Sequence, residues 1–171
     1  MKEDAREIYR VLVKHGKKVL YSEEFVRAFH QKHHYRTSVA EHTLQVAAIS
    51  VRLCRFLERH GVAVDERAAV RGALMHDLGM IGRREKYRND LECSQRHPGE
   101  SAKVARRLYP DLDKKTEDII LRHMWPVKLY PPPTSIESII VSLADKWGSI
   151  TDLLPFAQPW EHRWAGTFVK D

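Results

Sequence analysis

From Ser38 to Gly61 the chain reads SVAEHTLQVAAISVRLCRFLERHG, and no other stretch constrains the fold as tightly. Val39, Val46, Ile49 and Leu53 recur at the spacing of one helix face, a serine opens the run and a glycine stops it. That pattern predicts a long amphipathic helix. The same punctuation recurs on both sides. Ser22 can cap EEFVRAFHQKHH, with Glu23 and Glu24 in the first turn, and Asp65 can cap ERAAVRGALMHDLGMI, which Gly82 ends. A polar stretch, RREKYRNDLECSQR, crosses to HPGESAKVARRLY, which Pro110 terminates. DKKTEDIILRHMW stops at Pro126, and after PVKLYPPP either Thr134 or Ser135 begins SIESIIVSLADKWGSITDLL. No alternating strand pattern competes anywhere. The expectation is an all-α domain of six or seven helices. It spans residues 1–171, with a core over about 36–152, N-terminal helices within 1–35 and a tail over 155–171. Trp160 and Trp164 of that tail are expected to pack back on the helices or to meet a partner subunit.

With 171 residues, 43% hydrophobic and 30% charged, the chain can bury a core without covalent staples. No apolar run approaches the roughly 18 residues of a membrane span. MKEDAREIYR lacks the apolar centre of a signal peptide, so the cytoplasm is the expected compartment. Cys54 and Cys93 show no pairing pattern and read as reduced thiols. The net charge of +6 suits a small anionic, phosphate-containing substrate. No block of like charges and no groove-reading motif points to nucleic acid. Self-association into a homo-oligomer stays open.

Six ionisable residues stand where an ordinary helical core would not need them. His42 lies on the apolar stripe of the long helix, where a histidine is more often a hydrogen-bonded core residue than a ligand. His76 and Asp77 are adjacent in GALMHDLGM, behind Gly72 and Ala73, which let another helix approach closely. Neighbouring helix positions diverge by about 100°, so both can reach one ion only at a helix end. Asp145 points away from the apolar stripe Ile136, Ile139, Ile140, Leu143, Trp147, Ile150 and Leu154, towards Ser138, Ser142, Gly148 and Ser149. That side reads either as a solvated face or as a crowded polar site. His97 precedes Pro98, which can occupy the first position of a helix, and His123 ends a helix before Trp125–Pro126. Imidazoles mixed with carboxylates, and no cysteine, suit Fe, Mn, Co or Ni, with Zn also allowed.

In this order the residues resemble the HD superfamily of metal-dependent phosphohydrolases, over roughly residues 36–152. A helix histidine (His42 in AEHTLQVA) precedes the paired His76–Asp77 in ALMHDLGM, and a later helix aspartate follows (Asp145 in SLADKWGS). His97 in HPGESA and His123 in LRHMWP are similar to the two further histidines of members that hold two metals. The resemblance implies one divalent transition metal on His42, His76, Asp77 and Asp145, and a second on His97 and His123, bridged by Asp77. The pattern is most similar to bacterial HD phosphohydrolases, including the symmetrical diadenosine tetraphosphate hydrolases. Met80 stands where many relatives carry a lysine, no GYP signature follows His97, and no acidic pair lies at Leu78–Gly79. The last two departures argue against cyclic dinucleotide and guanosine tetraphosphate chemistry.

The expected activity is hydrolysis of a phosphate ester or anhydride of a nucleotide-like substrate by a metal-bridging hydroxide. Asp77 and Lys146 are the expected catalytic residues, with Arg36, Arg83, Arg84 and Lys128 as contacts for the remaining phosphate oxygens. Three other readings share the ligand set. They are a di-iron oxygenase acting on a C–H bond, a non-catalytic metal-stabilised binding module, and a one-metal nucleotidase in which His97 and His123 bind nothing.

Overall fold

The computed structural model describes residues 5–33 and 37–153, and among these it is all-α. Eight α-helices run in the order α1 (Ala5–Leu20), α2 (Glu23–His30), α3 (Val39–Arg59), α4 (Glu66–Met75), α5 (Arg83–Lys86), α6 (Asp90–Leu108), α7 (Lys114–Arg122) and α8 (Ile136–Leu153). The four-residue α5, inside the stretch read as a polar crossing, is the helix beyond the expected seven. Arg36, Trp160 and Trp164 lie outside the described residues. No helix among the described residues is long and apolar enough to cross a membrane.

Helix starts follow side-chain chemistry. The Oγ of Ser22 accepts the Phe25 N–H at 3.2 Å, and Asp65 Oδ1 accepts that of Ala68 at 3.0 Å. Asp113 Oδ1 accepts the Thr116 N–H at 2.8 Å. At α3 the arrangement is reciprocal, with Ser38 Oγ accepting from Glu41 N–H and Glu41 Oε2 from Ser38 N–H. Gly61 and Gly82, at φ +80° and +74°, take the left-handed turns that leave α3 and enter α5.

The core is built around α4. Ala68, Ala69, Val70, Ala73, Leu74 and Met75 are fully buried, as expected of a helix surrounded on all sides. Helix α3 packs on α4 and α8, and α7 packs on α4 and α8. Gly72 makes the α7 approach close, because a Cβ there would stand 2.8 Å from Ile119 Cβ.

Three expectations are corrected. Helix α4 ends at Met75, and the chain then tightens into a single 3-10 turn, Leu78–Met80, so HDLGM is not a continuation of the helix. His76 and Asp77 thus stand at the helix end, with His76 Nε2 3.4 Å from Asp77 Oδ2. Pro98 does not start a helix but sits inside α6, which begins at Asp90, capped by Asn89 Oδ1 on the Glu92 N–H at 2.8 Å. An interior proline removes one N–H from the ladder and crowds the preceding turn, a local cost the helix carries because its burial continues on both sides. Cys93, His97, Ser101 and Ala102 are all buried along it.

The third correction concerns α8. Ser138, Ser142 and Asp145 face inwards and are buried, while Ile139, Leu143, Trp147 and Ile150 are 40–61% exposed. Of the two readings of the Asp145 side, the crowded polar site holds, and it is the stripe of Ile139, Leu143, Trp147 and Ile150 that faces outwards. Polar residues can be buried there because they find partners: Ser138 Oγ donates to Asp118 Oδ2 at 2.7 Å, and Asp145 meets His42 and Lys146.

Candidate metal centre

Five elements converge on one interior point. Helix α3 brings His42, the end of α4 brings His76 and Asp77, α6 brings His97, the end of α7 brings His123, and α8 brings Asp145. All six are at most 5% exposed.

The rings are oriented from behind. His76 Nδ1 donates to Ala73 O at 2.7 Å, His97 Nδ1 to Cys93 O at 2.8 Å, and His123 Nδ1 to Ile120 O at 2.7 Å. Each carbonyl belongs to the preceding turn of the same helix, so helical geometry sets the tautomer and leaves the Nε2 lone pair facing inwards. For His42 the partner is a carboxylate: Nδ1 lies 3.3 Å from Asp152 Oδ2, which also accepts from Thr37 Oγ1 at 2.9 Å. Asp152 was not among the residues picked out by sequence. It stands two turns after Asp145 on the inward face of α8, and with that face left open between solvent and a polar site the spacing carried no message.

Asp77 divides its oxygens. Its Oδ1 lies 3.2 Å from His97 Nε2 and 3.5 Å from His123 Nε2. Its Oδ2 lies 3.4 Å from His76 Nε2 and 2.9 Å from His33 Nε2. Asp145 Oδ1 completes the second group, 3.0 Å from His42 Nε2 and 3.8 Å from His76 Nε2. Asp77 therefore meets His97 and His123 through one oxygen and His76 and His33 through the other, and His76 links it to the His42–Asp145 pair. His33, also missed in the sequence, lies before α3 in a run of basic residues whose ordinary reading is surface charge.

Charge in the centre is strongly coupled. Burial opposes a charge on His76, but Asp77 and Asp145 overcome it and push its pKa up to about 10. Burial likewise opposes ionised Asp77 and Asp145. For Asp77 the charge of His76 and the imidazole nitrogens of His123, His33 and His76 turned towards it prevail; for Asp145 the imidazoles of His42 and His76, with Lys146, prevail. Both carboxyls fall well below their ordinary range. His123 goes the other way, to about 4, because burial and the neighbouring His76 and His97 outweigh Asp77.

The donor set fits divalent transition ions. Fully buried His76 Nε2 has no hydrogen-bond partner. His97 and His123 bring their Nε2 atoms to 2.9 Å of each other with both Nδ1 hydrogens spent on carbonyls. Buried acceptors so arranged are costly unless a cation or proton joins them. Nitrogen and carboxylate oxygen without thiolate match Fe, Mn, Co, Ni or Zn. Cys54 and Cys93 are free, and burial pushes the Cys54 thiol up to about 12.

An inner cavity of about 330 Å³ opens on the centre, with Met80, Met124 and Val127 as apolar wall and Arg83, Lys146 and Ser149 as polar lining. Lys146 Nζ donates to Asp145 Oδ2 at 2.5 Å and to His123 O at 3.1 Å. Arg83 is tied to Asp90 and to His33 O, and lines both this cavity and an outer groove of about 1070 Å³. Arg84 lines only the groove. Lys128 lines neither and donates to Gln95 O at 3.1 Å.

A search of the curated proteins found no match. Among solved structures the chain is similar to a conserved hypothetical protein from Pyrococcus furiosus, at 22% identity over 86% of this chain and 79% of that one, with a TM-score of 0.46. The family model of the HD domain matches residues 39–147, a span holding His42, His76, Asp77, His97, His123 and Asp145, and the chain belongs to the HD domain family.

Proposed function

We propose that the protein is a metal-dependent phosphohydrolase acting on a phosphate ester or anhydride of a nucleotide-like substrate. The observation that carries the reading is the division of Asp77, whose two carboxylate oxygens face two separate sets of imidazoles. Site one takes His42, His76, Asp77 and Asp145, and site two takes Asp77, His97 and His123. A pair of divalent ions bound there would supply Lewis acidity towards phosphoryl oxygens and would acidify a water at neutral pH.

The chain's own residues do the rest. Ala73, Cys93 and Ile120 carbonyls and Asp152 hold the rings in register. Lys146, fixed between Asp145 and the end of α7, presents positive charge at the cavity wall, where charge accumulates on a transferring phosphoryl group. Arg83 sits where the cavity meets the groove and can bind an anionic group beyond the reacting one, with Arg84 further out. Met80, Met124 and Val127 limit water beside the centre.

The test is metal content followed by turnover. Protein purified without chelator, or reconstituted with Mn, Fe, Co, Ni or Zn, is expected to carry two ions and to release phosphate from a panel of nucleotides and dinucleoside polyphosphates. Asp77→Ala is expected to lose both properties. Iron-dependent oxygen uptake with no phosphate release would assign the oxygenase chemistry instead, and bound metal with neither activity would assign a binding module.

A further inference from the structure

His33 lies outside the span matched by the family model, yet its side chain enters the centre. Its backbone is held at both ends. The N–H donates to Thr37 O at 3.0 Å within the antiparallel bridge of Lys32 and Ser38, and the carbonyl accepts from Arg83 Nη1 at 3.3 Å. The imidazole is 7% exposed and stacks on that of His42, with centroids 3.9 Å apart and planes at 16°. Nε2 then stands 2.9 Å from Asp77 Oδ2.

Two facts decide what the ring does there. Ionised Asp77 can only accept, so an Nε2 at this distance carries the hydrogen and donates it. Rings so nearly parallel also keep their in-plane lone pairs from meeting at one ion within bonding reach of both. His42, oriented by Asp152, is the ring that offers a lone pair, and His33 is the one that offers a hydrogen.

We propose that His33 is a positioning residue of the metal centre, whose Nε2–H holds Oδ2 of Asp77 so that the carboxylate bridges the two metal sites. The inference rests on the metal reading above but not on the reaction assigned to it. A carboxylate pinned at Oδ2 keeps its second lone pair for the ion between His42, His76 and Asp145, and keeps Oδ1 on the His97–His123 side. Without the donor it can turn about its terminal torsion, and both sites lose the shared ligand.

Cobalt(II) titration of the full chain tests this, read by visible absorption, by cobalt per chain after gel filtration, and by competition with a chelator. His33→Phe keeps a ring to stack on His42 and lacks the donor. His33→Gln keeps a donor and lacks the ring. The phenylalanine variant is expected to bind cobalt 10–100-fold more weakly, the usual size of an outer hydrogen-bond loss, with an unchanged circular dichroism spectrum. The glutamine variant is expected to recover most of the affinity. If the larger ring prevents folding, His33→Ala carries the same comparison against glutamine. Wild-type affinity in His33→Phe, or an equal loss in His33→Gln, overturns the proposal while leaving the metal centre intact. A wild-type chain that takes up no cobalt overturns the metal reading and this proposal together.

Discussion

His97 and His123 meet Nε2 to Nε2 at 2.9 Å, though they come from different helices and each spends its Nδ1 hydrogen on a carbonyl of its own. Two lone pairs at that separation repel unless a positive charge lies between or beside them. Asp77 Oδ1 adds a negative charge to the same point. The expected consequence is selective. His123→Ala should reduce bound metal from two ions to one, since His42, His76, Asp77 and Asp145 remain. Elemental analysis of protein loaded with manganese or cobalt checks it. Two ions retained would show that the second ion lies elsewhere.

The protonation of His76 and His123 sets the stability of the metal-free protein on both sides of neutrality. His76, raised to about 10 against 6.5 in the unfolded chain, adds stability that is complete below pH 6.5 and lost as pH rises towards 10. His123, lowered to about 4, acts oppositely: between pH 6.5 and 4 the unfolded chain takes a proton that the folded one refuses, so stability falls as pH falls. An ion on His76 replaces its proton. The melting temperature of chelator-treated protein is expected to drop from pH 7 to pH 10, and that of metal-loaded protein to hold. Metal affinity should rise with pH, by at most about tenfold per unit for one displaced proton. Parallel alkaline profiles with and without metal would remove His76 from the ligand set.

Asp152 orients His42. Its Oδ2 receives both His42 Nδ1 and Thr37 Oγ1, so Asp152→Asn keeps the volume and removes the charge that fixes the imidazole. The expected result is a 10–100-fold weaker first ion with the fold retained. Chelator competition in the Asp152→Asn variant reads this, and unchanged affinity would leave Asp152 a merely structural acid.

Much of this was legible before any coordinates. Capping residues Ser22, Ser38 and Asp65 announce helix starts by local chemistry, which tertiary packing has no reason to override. The six clustered histidines and aspartates were legible because their types are unusual on buried helix faces. What failed were inferences that need knowledge of the neighbours. Leu143 and Trp147 look like core and are exposed, while the side of Ser142 and Asp145, open between solvent and a crowded polar site, is buried. Hydrophobic periodicity names a face but cannot say that a polar site will occupy the interior side of a helix. Pro98 misled for a related reason, since the packing of α6 from Cys93 to Ala105 carries the helix through it. His33 was out of reach because its position depends on a loop closed by the Lys32–Ser38 bridge, not on a helix period.

Gly79 links that packing to His97. It lies in the 3-10 turn directly after Asp77, against the middle of α6, where its N–H donates to Ser101 Oγ at 2.9 Å. A Cβ there would collide with the His97 carbonyl oxygen, 2.5 Å from Ser101 N and 2.8 Å from Ser101 Oγ. The first two are backbone atoms of a helix and cannot swing aside. Gly79→Ala must therefore push α6 away from the turn that carries Asp77, and His97 moves with it. Overpacking of this kind costs about 1–3 kcal/mol, readable as a lower urea midpoint. The sharper expectation concerns metal. Because His97 reaches Asp77 Oδ1 at only 3.2 Å, a shift of α6 should weaken the ion on His97 and His123 more than the ion on His42, His76 and Asp145. Cobalt titration of Gly79→Ala should then show one near-normal site and one weakened site. Equal weakening of both sites would mean that the clash is relieved by moving Asp77 itself.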